Sequence, residues 1–138
     1  MPLRTVFERA RRATASDNGS AAAEFVMVGA LLTVLTLSVL QLGLALHIRN
    51  TVVDAAAEGA RFAALADNEP ADGVARTIDL ISAALSPGYA RDVSAASGSF
   101  NGHPAIIVTV RTPLPLIGLV GIENGLEVSG RAAVETLD

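Results

Sequence analysis

From Phe25 to Ile48 the chain runs 24 residues without a charged side chain. As a helix this segment is ~36 Å long at ~1.5 Å per residue, and a bilayer's hydrocarbon core is ~30 Å thick. Its polar residues are Thr33, Thr36, Ser38, Gln41 and His47. Hydroxyls of this kind can return to the helix backbone, so threonine and serine interrupt the run at little cost. A buried helix in a soluble core is the competing assignment. With 138 residues in all, the chain offers too little protein to wrap such a helix. The first expectation is therefore a membrane-spanning helix in contact with the lipid bilayer.

Charge on either side gives the orientation. Residues 1–19 carry Arg4, Arg9, Arg11 and Arg12 against Glu8 and Asp17, a net +2; residues 49–138 carry six arginines against eleven carboxylates, a net −5. Basic flanks stay in the cytoplasm. The expected arrangement is single-pass in the cytoplasmic membrane, with the N-terminus inside and the C-terminal domain outside. A cleaved secretory signal would have an apolar region of ~7–15 residues with a small-x-small site close behind it. Here the best such site, Ala64-Leu65-Ala66, lies well past the run. The chain has no cysteine, which removes disulfides and thiolate chemistry.

The entrance to the span is unusual. A polar leader ends at Gly19, then come Ser20-Ala21-Ala22-Ala23, one carboxylate at Glu24, and the apolar run from Phe25. A carboxylate within a membrane segment is costly, up to ~2.5–3.5 kcal/mol at the bilayer centre. A first-turn glutamate favoured by the helix dipole accounts for ~0.3–1 kcal/mol in the other direction. Cleavage between Gly19 and Ser20 would put a new amine one helical turn from Glu24. An α-amine with a pKa of ~7.7–8.0 is mostly protonated at neutral pH, so the carboxylate could neutralise it in its own chain or in a neighbour.

Gly19 followed by Glu24 resembles the processing site of type IV prepilins. The stretch Gly19-Ser20-Ala21-Ala22-Ala23-Glu24-Phe25-Val26, with Leu42-Gly43-Leu44-Ala45-Leu46 and Asp54-Ala55-Ala56-Ala57-Glu58-Gly59-Ala60-Arg61-Phe62-Ala63-Ala64, resembles the TadE-like pseudopilins of the tight-adherence (Flp) pilus system. The chain departs from that pattern at Phe25, Gly29 and Gln41, where the family often has tyrosine, proline and an acidic residue. The resemblance implies a structural minor pilin or pseudopilin with a pilin-like fold. It also implies that Gly19 and Ser20 would flank the cut made by a prepilin peptidase, that Glu24 and Phe25 would pair subunits in the membrane, and that related pilin or pseudopilin subunits would be the partners. The alternative is a single-pass, membrane-tethered binding module of the cell envelope with no leader cleavage.

Beyond the span, helix is expected to continue to about Ala66, carrying a small-residue stripe that includes Ala56, Gly59, Ala60 and Ala63. Such a stripe suits close helix packing and equally suits a solvated stalk. Asp67-Asn68-Glu69-Pro70 breaks the helix and starts another, expected over Ala71 to Ser86 with Val74, Ile78, Ile81 and Leu85 on its inner face. Asn101-Gly102 is a hairpin turn, in which paired positions sum to 203. Val93 then faces Val110, Ala95 faces Val108 and Ser97 faces Ile106, with Asp92 opposite Arg111 on the other side. A third strand is expected from about Leu126 to Thr136, preceded by an apolar loop from Pro113 to Ile122 that lies over the sheet or forms an exposed patch.

The expected fold is α+β: a long N-terminal membrane-spanning helix, a short helix and a small antiparallel sheet. Its parts are a basic leader (1–19), the span and stalk (20–66) and an extracytoplasmic domain (67–138). No catalytic constellation is visible. His47 and His103 are separate, without metal-ligand spacing. No nucleophile elbow or phosphate loop occurs, and the acidic outer part does not suit nucleic acid. No enzyme activity, metal or cofactor is expected.

Overall fold

The computed structural model describes the backbone of residues 3–115 and 121–135, and the side chains of 19–114 and 125–135. The first helix, α1, runs Leu3–Ala63. Leu3, Glu8, three alanines and four arginines within residues 3–18 favour helix, and the basic leader shares the helix of the span. α1 stops at Ala63, three residues short of the expected end at Ala66. There Asn68 donates from its side chain to the Phe62 carbonyl at 2.7 Å, satisfying one of the last-turn acceptors of a helix end.

The second helix, α2, covers Pro70–Ala84. Pro70 sits in its first turn, and the Glu69 amide donates to the Asp72 carboxylate at 2.8 Å, the reciprocal half of a capping box. A 3-10 turn at Pro87–Tyr89 follows. Three antiparallel strands then form one sheet in the order β1 (Asp92–Phe100), β2 (His103–Pro115), β3 (Gly121–Ala133).

The β1–β2 hairpin has the expected register throughout, from Asp92 against Arg111 to Phe100 against His103. Asn101 and Gly102 both have positive φ, 51° and 83°, as a two-residue type I′ turn requires. The end of β2 differs from expectation. Pro113 to Pro115 and Gly121–Ile122 belong to strands rather than to a loop, with Leu114 opposite Ile122 and Pro115 opposite Gly121. β3 therefore begins five residues before Leu126 and ends at Ala133. Residues 116–120 of the expected apolar loop lie outside the described residues. Proline cannot donate to a ladder, and the β2–β3 register shifts across Pro113, between Thr112 and Leu114. By that point β1 no longer pairs with β2, so the prolines disturb no ladder on that side.

Contacts divide the chain into two compact units, Met1–Leu40 and Gln41–Asp138. The second unit therefore contains the last third of α1, whereas the sequence reading starts a separate domain at residue 67. Within this unit Ile48, Val52, Ala56, Ala60 and Ala63 of α1 join Ile81 of α2 and Ile106, Val108, Val110 and Val128 of the sheet in one core. Burying an isoleucine such as Ile48 or Ile81 contributes about 1.5–3 kcal/mol. The segment expected to be stalk is thus a core element.

The face of α2 differs in part: Ile81 lies in the core and Leu85 packs against it as expected. Gly73, Thr77 and Ile81 are buried, while Ile78 is 36% exposed and Val74 is half-buried. α1 approaches so closely that small residues, not the largest apolar ones, take the contact. The opposite sheet face is solvated. Arg111 reaches Glu127 at 2.8 Å and Asp92 at 3.9 Å, linking all three strands.

Candidate functional site

Gly19, Ser20, Glu24 and Phe25 all lie inside α1. Side chains on a helix lean toward its N-terminus, which carries the Glu24 carboxylate back over the preceding turn. Ser20 donates its hydroxyl to Glu24 Oε1 at 3.5 Å, so one turn brings the two residues together without outside help. A Cβ at Gly19 would meet nothing within 4 Å. Phe25 is 79% exposed. This junction is an open helical segment with a glycine, a short run of small residues and a single carboxylate facing outward.

A belt of uncovered apolar side chains begins at Phe25. Val26, Met27, Leu31, Leu35, Val39, Leu42 and Leu46 are all exposed, whereas Ile48 is 1% exposed. From Phe25 to Leu46 the helix rises ~33 Å, close to the ~30 Å of a hydrocarbon core. The polar residues are accommodated internally. Thr33 donates to the Gly29 carbonyl at 2.8 Å, Thr36 to Leu32 at 2.8 Å and Ser38 to Val34 at 2.7 Å. A helix that satisfies its own polar groups is what lipid tolerates. Gly19–Ala63 is long and apolar enough to cross a membrane, and its most apolar window has a mean hydropathy of 2.2 with no residue buried. This fits a single-pass membrane protein.

The stripe of Ala56, Gly59, Ala60 and Ala63 is filled by the same chain. A Cβ on Gly59 would collide with the Thr77 hydroxyl and lie 2.7 Å from the Gly73 carbonyl oxygen; one on Gly73 would lie 2.6 Å from the Gly59 carbonyl oxygen. Thr77 donates to the Gly73 carbonyl at 2.7 Å, with the Ala55 carbonyl at 3.4 Å across the helix interface. On the sheet side, a Cβ on Gly130 would collide with the Ala56–Ala57 backbone. Gly73, Thr77 and Gly130 were not singled out from the sequence. Two signals were available: the small-x-x-x-small spacing of Gly73 and Thr77, and an isolated glycine inside a strand pattern, which marks close backbone approach.

The remaining polar groups are dispersed. His47 is exposed on α1 and His103 opens β2, also exposed. Among the described residues no group of three or more His, Asp or Glu could hold a metal. An open groove between α1 and α2 is lined by Thr51, Asp54, Ala55, Glu58, Arg61, Leu80 and Ala84, with Arg61 paired to Glu58 at 3.3 Å.

Comparison with known families places a match on this same segment. Residues 19–61 match the family model described as TadE-like protein. The match begins at Gly19, takes in Ser20, Glu24, Phe25, the apolar belt and the stripe through Gly59 and Ala60, and ends before α2. No curated protein and no solved structure matches the chain.

Proposed function

We propose that this chain, TadE-like over residues 19–61, is a structural minor pilin or pseudopilin of a tight-adherence type IV pilus assembly system rather than an enzyme. It sits in the cytoplasmic membrane with its N-terminus inside and the α+β unit outside. A prepilin peptidase cuts between Gly19 and Ser20, and Glu24 neutralises the new amine of its own or a neighbouring subunit. Its partners are related pilin or pseudopilin subunits. The observation that carries this reading is the junction itself: exposed Gly19 and Ser20 one helical turn before Glu24, followed at once by an uncovered apolar belt of bilayer length.

A carboxylate that serves assembly is separable from one that merely starts a helix. Glu24→Ala should insert into membranes at the wild-type level yet lose co-purification with its partner subunits. Unchanged co-purification would favour the alternative of a membrane-tethered binding module without leader cleavage.

A further inference from the structure

We propose that the far end of the β2–β3 hairpin, Pro113–Pro115 paired with Gly121–Ile122, enters the outer leaflet of the bilayer that α1 crosses. The inference rests on the membrane reading of α1. Two contacts fix how β3 runs along the helix: the Glu135 amide donates to the Ala64 carbonyl at 2.9 Å, and Gly130 abuts the Ala56–Ala57 backbone. β3 therefore runs parallel to the core segment of α1, and its beginning points toward the Ile48 end.

Between those contacts the helix rises ~12 Å from Ala56 to Ala64, while the chain from Gly130 to Glu135 extends ~16 Å. The strand thus advances along the helix axis by about three quarters of its own length. From Gly130 back to Ile122 the strand covers ~26 Å, of which ~20 Å is along the axis. From Ala56 back to Leu46, where the uncovered apolar belt ends, the helix covers only ~15 Å. The hairpin end therefore reaches past the edge of the belt.

Its chemistry suits that depth. The sequence from Pro113 to Ile122 contains no charged residue, and the nearest charges are Arg111 and Glu123. Pro113 and Pro115 carry no amide N–H, which removes two donors that lipid would leave unpaired. Leu42 and Leu46, on the stretch of helix that the hairpin reaches, are exposed, and lipid, which covers them in the membrane reading, is the proposed occupant.

The chain has no cysteine, so single labels are direct. Full-length protein with Leu114→Cys, Leu35→Cys or Ser129→Cys is labelled with bimane in phosphatidylethanolamine–phosphatidylglycerol vesicles. Quenching is read with nitroxide-labelled lipid and with aqueous iodide. The expected result is that the label at position 114 behaves like that at 35, quenched by lipid and several-fold less by iodide than the label at 129. Ile122→Cys, on the paired strand, gives the same reading if Leu114→Cys does not fold. Iodide quenching equal to that at 129 overturns the proposal, as does protection from both quenchers, which means that protein covers the hairpin. If the label at 35 also escapes lipid quenching, the membrane reading itself fails.

Discussion

Gly59, Gly73 and Gly130 are the residues on which the second compact unit closes, because each stands where another backbone or a buried hydroxyl already occupies the space of a Cβ. Overpacking of this kind costs about 1–3 kcal/mol. Gly59→Ala and Gly130→Ala should each lower the urea midpoint of unfolding, measured in detergent by circular dichroism. Gly43→Ala, where a Cβ meets nothing within 4 Å, should not lower it, because alanine is the better helix former. Thr112 presents the opposite case. It is fully buried and its hydroxyl has no partner, so Thr112→Val keeps the shape and removes an unsatisfied group. That variant should be as stable as wild type or more so. Gly73 and Thr77 are outranked in the sequence, despite their small-x-x-x-small spacing, because hydrophobicity places Val74 and Ile78 above them. Close helix approach ranks by size instead, and size won.

At the scale of elements, the β1–β2 hairpin was the most legible part. Asn101-Gly102 demands a two-residue turn, and one register alone then puts valine opposite valine and aspartate opposite arginine. Asn101 holds a left-handed φ that a non-glycine residue adopts at a cost of roughly 1–2 kcal/mol. Asn101→Gly should therefore preserve the hairpin, and Asn101→Val should weaken it, as read by amide hydrogen exchange along β1. Arg111 ties the three strands together. The hydrogen bond and charge of Glu127, then the charge of Asp92, raise its pKa above the ordinary arginine value. A raised value means the contribution is fully present below the ordinary arginine range and lost only as pH rises through the raised value. The stability difference between wild type and Arg111→Gln should therefore be the same at about pH 7 and about pH 9. The stalk was the least legible element. A stripe of alanine and glycine looks alike whether it awaits another subunit or its own sheet, and the distinction depends on where α2 and β3 fold back.

For the whole molecule, an apolar belt separates a basic leader of net +2 from an acidic remainder of net −5. If that asymmetry sets orientation, replacing Arg4, Arg9, Arg11 and Arg12 together by glutamine should leave a fraction of molecules inverted. A label at Ser129→Cys in intact cells measures that fraction. The belt and its entrance were readable because both are local in the sequence: an uncharged run of bilayer length, and Gly19 and Ser20 one helical turn before Glu24. The most direct measurement of the central claim is the N-terminus of the protein recovered from membranes of cells that contain a prepilin peptidase. A mature chain beginning at Ser20 is the predicted result. A chain that still begins at Met1 or Pro2 in the presence of the peptidase contradicts the account.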